Sequence, residues 1–108
     1  MNEAIRWQLI NATLNGDSHR LRVLLSKRVR IDILQAFQLF HLAAASGSVD
    51  NLKTILAFMP TINVNSRDDV GCTALHKAAS AGHREIIHFL IYHGAQVDTQ
   101  EYLVSIVA

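Results

Sequence analysis

The chain has 108 residues, half of them hydrophobic, which is enough for one compact domain with a modest core. Ten Lys and Arg residues against nine Asp and Glu give a formal net charge of +1, so bulk charge favours neither nucleic acid nor a membrane surface as a partner. The single cysteine, Cys72, excludes an intramolecular disulfide and a multi-cysteine zinc site, and it fits the reducing conditions of the cytosol or nucleus.

Neither the first ten residues nor the longest uncharged stretch has the features of a membrane-directed segment. Glu3 and Arg6 interrupt the start of the chain, where a secretory signal needs a continuous apolar region. The stretch 33–49 lacks Asp, Glu, Lys and Arg, but it includes polar residues and falls short of the about 20 residues that cross a bilayer. We therefore expect no secretory signal, no transmembrane helix and no membrane partner.

The chain repeats itself at intervals of 33 residues. An apolar residue followed by Asp or Asn recurs at Ile31-Asp32, Val64-Asn65 and Val97-Asp98. Three segments of small residues end at Gly16, Gly47 and Gly82, and each is followed by an apolar pattern with helical spacing. This periodicity predicts three stacked units that share one hydrophobic core.

The first unit, residues 1–32, has the apolar spacing of the others but lacks their beginning. Leu21, Leu24 and Leu25 have the spacing of a buried helix face. Trp7 and Gln8 stand where the third unit has its turn and helix cap. We therefore interpret residues 1–32 as a degenerate repeat that caps one end of the array.

Half of the ten Lys and Arg residues fall within positions 20–30 of this unit, namely Arg20, Arg22, Lys27, Arg28 and Arg30. No aromatic residue is interleaved with them, as stacking on nucleic-acid bases would require. We interpret the segment as the solvated face of a helix. A binding site for an acidic partner, a nuclear-import signal and a nucleic-acid contact are the alternatives.

The second unit, residues 33–67, retains Ala43, Ala44 and Gly47 and the apolar residues of a second helix. No Asp-x-x-Gly turn precedes it, so the sequence does not specify a leading hairpin. About two extra residues lie around positions 58–61. Pro60 predicts the end of the second helix there, because proline lacks an N–H and clashes with the preceding turn.

The third unit, residues 68–100, gives the clearest order of elements. Asp68 to Gly71 predicts a turn, and Thr73 predicts the N-cap of a first helix through its side-chain oxygen. That helix ends at Gly82, because glycine adopts the left-handed conformation without a steric penalty. A second helix over about 84–93 follows from apolar residues at i, i+1, i+4 and i+5, and Gly94 ends it.

The third unit resembles the ankyrin repeat. Its residues follow the family pattern D-x-x-G-x-T-P-L-H-x-A-A-x-x-G-H and continue to match the family through residue 97. The matching residues are Asp68, Gly71, Thr73, Leu75, His76, Ala78, Ala79, Gly82, His83, Ile86, Ile87, Leu90, Ile91, Gly94, Ala95 and Val97. The resemblance implies one all-α domain over residues 1–108, a solenoid of about three helix-turn-helix units joined by β-turn or hairpin loops. Residues 101–108 are then a C-terminal tail or a truncated fourth repeat.

The same resemblance implies a non-catalytic protein-interaction module, acting as an adaptor, scaffold or inhibitor through its turn tips and the concave face of its first helices. It implies another protein as the partner, with no cofactor, no metal and no nucleic acid. Surface positions that vary within the family carry over to this chain, and two charged residues lie beside them. The candidate contact residues are Asp69, Val70, Cys72, Ser80, Ala81, Ala45 and Ser46, together with Lys77 and Arg67.

An incomplete repeat module that acts in assembly or self-association is the alternative. Residues 102–108 contain no charged side chain, which leaves apolar surface at the end of the array to be covered. This tail can fold back on the last helices, bind a partner or continue into a longer solenoid. We favour the fold-back.

A thiol- or metal-dependent enzyme is the third hypothesis, and residue spacing argues against it. His83, His88 and His93 are five residues apart, which turns successive side chains by about 140° around a helix, so they cannot converge on a metal. Cys72 and His76 are four residues apart, but no orienting carboxylate or oxyanion site accompanies them. The aromatic residues are assigned to packing between units or to half-buried edges; they are Trp7, Phe37, Phe40, Phe58, Phe89, Tyr92 and Tyr102.

Overall fold

The computed structural model describes residues 3–27 and 32–97. Within these ranges the chain forms six α-helices and no β-strand. In chain order they are α1 (Glu3–Leu14), α2 (Ser18–Ser26), α3 (Ile33–Ser46), α4 (Val49–Phe58), α5 (Ala74–Ala81) and α6 (Arg84–Tyr92). The predicted all-α repeat architecture is confirmed.

The helices form two layers in an elongated body of 41 × 22 × 22 Å. α1, α3 and α5 lie side by side in one layer, which we call the inner layer, and α2, α4 and α6 form the outer layer. Each inner helix also packs against the outer helix that follows it in the chain. Successive helical hairpins therefore stack as the units of a solenoid.

Small residues in the inner layer and larger ones in the outer layer fill the core. Ala43, Ala44 and Ala78 are fully buried, and their short side chains let neighbouring inner helices approach closely. Leu52 and Ile86 are fully buried in the outer layer. Each such side chain stabilises the fold by about 1.5–3 kcal/mol on leaving water. This division of packing agrees with the sequence pattern.

Most helix ends fall where the local sequence predicts them. The Thr73 side chain accepts a hydrogen bond from the backbone N–H of His76 at 3.2 Å, which confirms the predicted N-cap of α5. Gly82 closes the same helix in the left-handed region with φ +76°. α4 ends at Phe58, two residues before Pro60, which cannot continue a helix. α6 ends at residue 92, one residue before the predicted limit.

The second repeat begins differently from the third. α3 has 14 residues and α5 has 8, although both end at an equivalent glycine, Gly47 or Gly82. Counted back from these glycines, the start of α3 corresponds to Asp68 in the turn of the third repeat. A capping box starts the longer helix: the Asp32 carboxylate accepts from the Gln35 backbone N–H at 2.8 Å, and the Gln35 side chain accepts from the Asp32 N–H at 3.3 Å. A helix therefore replaces the turn in the second repeat.

Some sequence-based predictions fall outside the described residues. They concern the segment 28–31 before α3, with Arg28 and Arg30, and the tail 101–108 with Tyr102.

Candidate protein-interaction surface

A tight turn at residues 68–71 projects from the third repeat beside the inner layer. The Asp68 carboxylate accepts hydrogen bonds from the backbone N–H groups of Val70 at 3.0 Å and Cys72 at 2.9 Å. The Asp68 N–H also donates to the Cys72 carbonyl at 2.9 Å, and Gly71 takes φ +88° to close the loop. Arg67 donates to the Gly71 carbonyl at 2.8 Å. The predicted turn is therefore confirmed, and its backbone is well fixed.

An ion pair ties this turn to α5. Lys77 Nζ lies 2.9 Å from the second carboxylate oxygen of Asp68. The hydrogen bond from Lys77, followed by the backbone N–H of Cys72, holds the pKa of the Asp68 carboxyl well below its ordinary value of 3.8. One carboxylate thus orders the turn and attaches it to the inner layer.

A groove of about 370 Å³ separates α3 from this turn. Residues of α3 line one side, and residues of the turn and α5 line the other. The lining residues are Phe37, Gln38, His41, Leu42, Ala45, Arg67, Asp68, Asp69 and Lys77. The α3 side is therefore mainly apolar, whereas the turn side is charged.

His41 forms part of the groove wall and is almost completely buried, with 6% of its surface exposed. Its Nε2 has no hydrogen-bond partner. Burial lowers the pKa of His41, and the Lys77 ammonium lowers it further, against weaker opposing effects of Asp68 and the backbone of Ser66. The ring is therefore neutral at pH 7 and adds no charge to the groove.

A stripe of exposed and half-buried residues runs along each inner helix. On α1, Trp7, Asn11 and Leu14 follow the i, i+4, i+7 spacing that places side chains on one helix face. Counted from the closing glycines, they correspond to Gln38, Leu42 and Ala45 of α3. Trp7 is 65% exposed and Leu14 is 53% exposed. We define the inner face as these stripes together with Lys77, Ser80 and the turn 68–71.

The assignment of the aromatic side chains to packing between units or to half-buried edges is wrong for Trp7 and Tyr92. Phe40 is fully buried, as predicted, but Trp7 is 65% and Tyr92 86% exposed. Aligning Trp7 with Gln38 and Thr73 by the closing glycines would have indicated its exposure.

The nine contact candidates fall into three environments. Four of them, Ala45, Arg67, Asp69 and Lys77, meet at the groove. Val70 is 85% exposed at the tip of the turn, and Cys72 is a half-buried free thiol behind it. Ser80 and Ala81 are exposed at the end of α5, whereas Ser46 is half-buried at the end of α3.

Ser46 belongs to a set of bonds that join successive repeats. Its hydroxyl donates to the carbonyls of Ala43 at 3.1 Å and Thr13 at 3.4 Å. The buried Asn51 side chain also donates to the Thr13 carbonyl, at 3.0 Å. At the next boundary the His83 ring contacts the Ala45 carbonyl at 3.0 Å through Nε2. A carbonyl can only accept, so Nε2 carries the proton. Carbonyls at inner-helix C-termini are thereby satisfied by the following repeat.

The described residues contain no cluster of three His, Cys, Asp or Glu side chains that could hold a metal ion. Within the same ranges, no helix is both long and apolar enough to span a bilayer.

Comparison with known proteins identifies the repeat. The family model for ankyrin repeats, in three copies, matches residues 9–101. The chain belongs to the ankyrin-repeat family. The predicted resemblance is confirmed, and the match extends from the clearly patterned third repeat into the first. Proteins of this family carry their repeats as protein-interaction modules, and we describe this chain as an ankyrin-repeat module below.

The similar proteins are much longer than this chain. Inversin from Danio rerio is 41% identical over 59 residues, which are 55% of this chain and 6% of that protein. Alpha-latrotoxin-Lg1a from Latrodectus geometricus is 31% identical over 100 residues, or 87% of this chain and 7% of the toxin. The NAD-capped RNA hydrolase NUDT12 from Homo sapiens is 42% identical over 55 residues, or 51% of this chain and 12% of the hydrolase. Such partial matches indicate a shared repeat, and they carry none of these proteins' activities over to this chain.

Proposed function

We propose that this ankyrin-repeat module binds a partner protein through its inner face, as an adaptor, scaffold or inhibitor. The observation that carries the proposal is the exposure of Trp7 in line with Leu14 on α1. Tryptophan is the residue type most enriched among side chains that dominate interface energies, and exposed apolar patches mark binding surfaces.

The two ends of the inner face favour different contacts. Trp7, Leu14 and Leu42 supply apolar area on α1 and α3, while Asp69 and Lys77 supply charge at the groove rim. A partner that fits both ends presents an apolar side chain or helix to α1 and α3, and polar or charged groups to the groove rim. Three repeats offer a short surface, so an interface of about 800 Å² per side would cover much of it.

Trp7 is the only tryptophan in the chain, which makes it a reporter for its own surface. Candidate partners are captured from a cell extract with the wild-type module and with an Asp69→Arg/Ser80→Arg variant, and only variant-sensitive proteins are purified. Each is then titrated against the module while Trp7 emission is recorded. We expect a blue shift on binding, because the indole leaves water.

The matched substitutions are Trp7→Ala on the inner face and Tyr92→Ala on α6, both at exposed aromatic residues. Trp7→Ala should weaken binding at least about tenfold, which corresponds to about 1.4 kcal/mol, whereas Tyr92→Ala should leave it unchanged. Equal effects of the two substitutions, with no change in Trp7 emission, contradict the proposal.

Self-association through residues 101–108 is the second hypothesis from the sequence, and sedimentation velocity separates the two. We expect a monomer at all concentrations tested, and concentration-dependent association would favour assembly instead. The single cysteine supports placing the module in the cytosol or nucleus, where thiols stay reduced.

A further inference from the structure

The outer layer carries positive charge that the described residues do not neutralise. Arg20, Arg22 and Lys27 are exposed along α2 and at its C-cap, and none forms an ion pair within residues 3–27 and 32–97. The one carboxylate of this segment, Asp17, caps α2 by accepting from the Arg20 backbone N–H at 3.0 Å. Three side-chain cations therefore stand against one carboxylate between residues 17 and 27.

The register of the outer helices extends this charge into the second repeat. The N-caps of the three outer helices are Asp17, Ser48 and His83. Five residues beyond them lie Arg22, Lys53 and His88, and all three are exposed. α2 packs on α4 and α4 on α6, so these equivalent positions form a row across the outer layer. Packed helix axes lie 8–10 Å apart, which sets a spacing of about 10 Å along the row.

Aromatic surface borders this row. Ten residues beyond the caps lie Lys27, Phe58 and His93, all exposed, with Phe58 exposed to 40%. Tyr92, beside His93, is exposed to 86%. We define the outer face as Arg22, Lys27, Lys53, Phe58, His88 and Tyr92. It combines uncompensated cations at the first two repeats with aromatic side chains at the last two.

On the inner face, in contrast, the cations have partners within the protein. Lys77 is paired with Asp68, and Arg67 donates to the Gly71 carbonyl. On the outer helices the acids Asp50 and Glu85 occupy the first turns of α4 and α6, where the helix dipole favours a carboxylate. Within the described residues Asp50 makes no ion pair with Lys53. Among the described residues of the outer layer, the exposed cations without an ion pair therefore include Arg20, Arg22, Lys27 and Lys53.

The geometry points to a second binding surface, in which the outer face takes an acidic peptide segment of a partner protein. A peptide in the polyproline II conformation advances about 3.1 Å per residue and repeats its side-chain direction every three residues, so the spacing of about 10 Å between Arg22 and Lys53 matches acidic side chains three residues apart. An apolar residue next to them can contact Phe58. The surface lies on the layer opposite to the inner face, so both can be occupied together.

The same cations could attract a nucleic-acid backbone, and two observations favour the peptide. Three or four cations neutralise few phosphates, and affinity for nucleic acid grows with the number of phosphates neutralised. Asp50 and Glu85 lie one helical turn from Lys53 and His88, where they repel a continuous phosphate chain. A peptide with spaced carboxylates can instead place uncharged residues next to Asp50 and Glu85.

The test uses the whole chain and a labelled peptide with glutamate at every third position and one phenylalanine, measured by fluorescence anisotropy at physiological ionic strength. Variants Arg22→Glu and Lys53→Glu reverse charges in the row. Arg6→Glu on α1 is the matched control, because Arg6 is also exposed and the net charge changes equally. We expect Arg22→Glu and Lys53→Glu each to weaken binding at least about fivefold, and Arg6→Glu less than about twofold.

Three results would overturn the inference. The first is no saturable binding of the acidic peptide, and the second is equal weakening by Arg22→Glu and Arg6→Glu, which indicates bulk charge alone. The third is tighter binding of a single-stranded oligonucleotide with the same dependence on Arg22 and Lys53, which assigns the surface to nucleic acid. Ser80→Arg on the inner face should leave peptide binding unchanged, so the outer-face inference and the inner-face proposal can fail independently. Thermal melts serve as the control that each exposed substitution preserves the fold.

Discussion

Gly47 and Gly82 close the inner helices of two successive repeats, and their surroundings differ. Both are left-handed, with φ +86° at Gly47 and +76° at Gly82. A Cβ on Gly47 would lie 2.8 Å from Cε1 of His83, whereas a Cβ on Gly82 would meet nothing within 4 Å. The two glycines therefore share a backbone conformation, but the next repeat covers Gly47 and leaves the space beside Gly82 open.

A glycine that closes an inner helix of the module therefore has two separable roles. The first is conformational, because a side chain disfavours positive φ, and both glycines share it. The second is the space it leaves for the His83 ring, which donates to the Ala45 carbonyl, and only Gly47 has it. The following predictions separate these roles.

Gly47→Ala should have the largest effect. The left-handed strain of alanine costs about 1–2 kcal/mol, and displacement of the His83 ring adds about 1–2 kcal/mol through the lost hydrogen bond and repacking. We expect the free energy of unfolding to fall by about 2–4 kcal/mol in urea titrations. A loss no greater than that of Gly82→Ala would show that His83 moves aside freely.

Gly82→Ala should reduce stability by the conformational part alone, about 1–2 kcal/mol, because its Cβ enters open space. Urea denaturation at the same pH and salt gives the comparison. A neutral effect would mean that the left-handed conformation at this corner is not required.

His83→Ala should cost about 0.5–1.5 kcal/mol through loss of the hydrogen bond to Ala45. The informative measurement is the double-mutant cycle with Gly47→Ala, since removal of the ring should reduce the alanine penalty at Gly47 to that at Gly82. Additive losses in the double variant would refute the contact as the cause.

Acid should weaken the boundary between the second and third repeats through His41. Burial lowers its folded-state pKa below the ordinary 6.5, so the unfolded chain takes up the proton first as pH falls. Stability is complete above about pH 6.5 and decreases as the pH falls through that value toward the lowered folded-state pKa. Between about pH 8 and about pH 5, the wild type should lose more stability than His41→Gln. Parallel pH curves for the two proteins would contradict this.

Much of the fold could be predicted because its determinants are local. The Thr73 cap, the left-handed Gly82 and the end of α4 before Pro60 each depend on a few neighbouring residues. The start of α3 was predictable in principle as well, since Asp32 and Gln35 have the spacing of a capping box. The family pattern has a turn at this position, and the capping box starts a helix there instead.

Other features could not be predicted because they join distant positions. The contact between Gly47 and His83 spans 36 residues and leaves no periodic signal in the sequence. The groove between α3 and the turn 68–71 exists only because one repeat begins with a helix and the next with a loop.

The hydrogen bonds that join the repeats form between residues that are synthesised at different times. The Thr13 carbonyl accepts a hydrogen bond from Asn51, which lies 38 residues later in the chain. The Ala45 carbonyl accepts from His83, which also lies 38 residues later. A ribosome adds about 5–20 residues per second, so each acceptor emerges about 2–8 s before its donor. During synthesis, the Ala45 carbonyl at the end of α3 therefore has only water as a partner until His83 of the next repeat has been made.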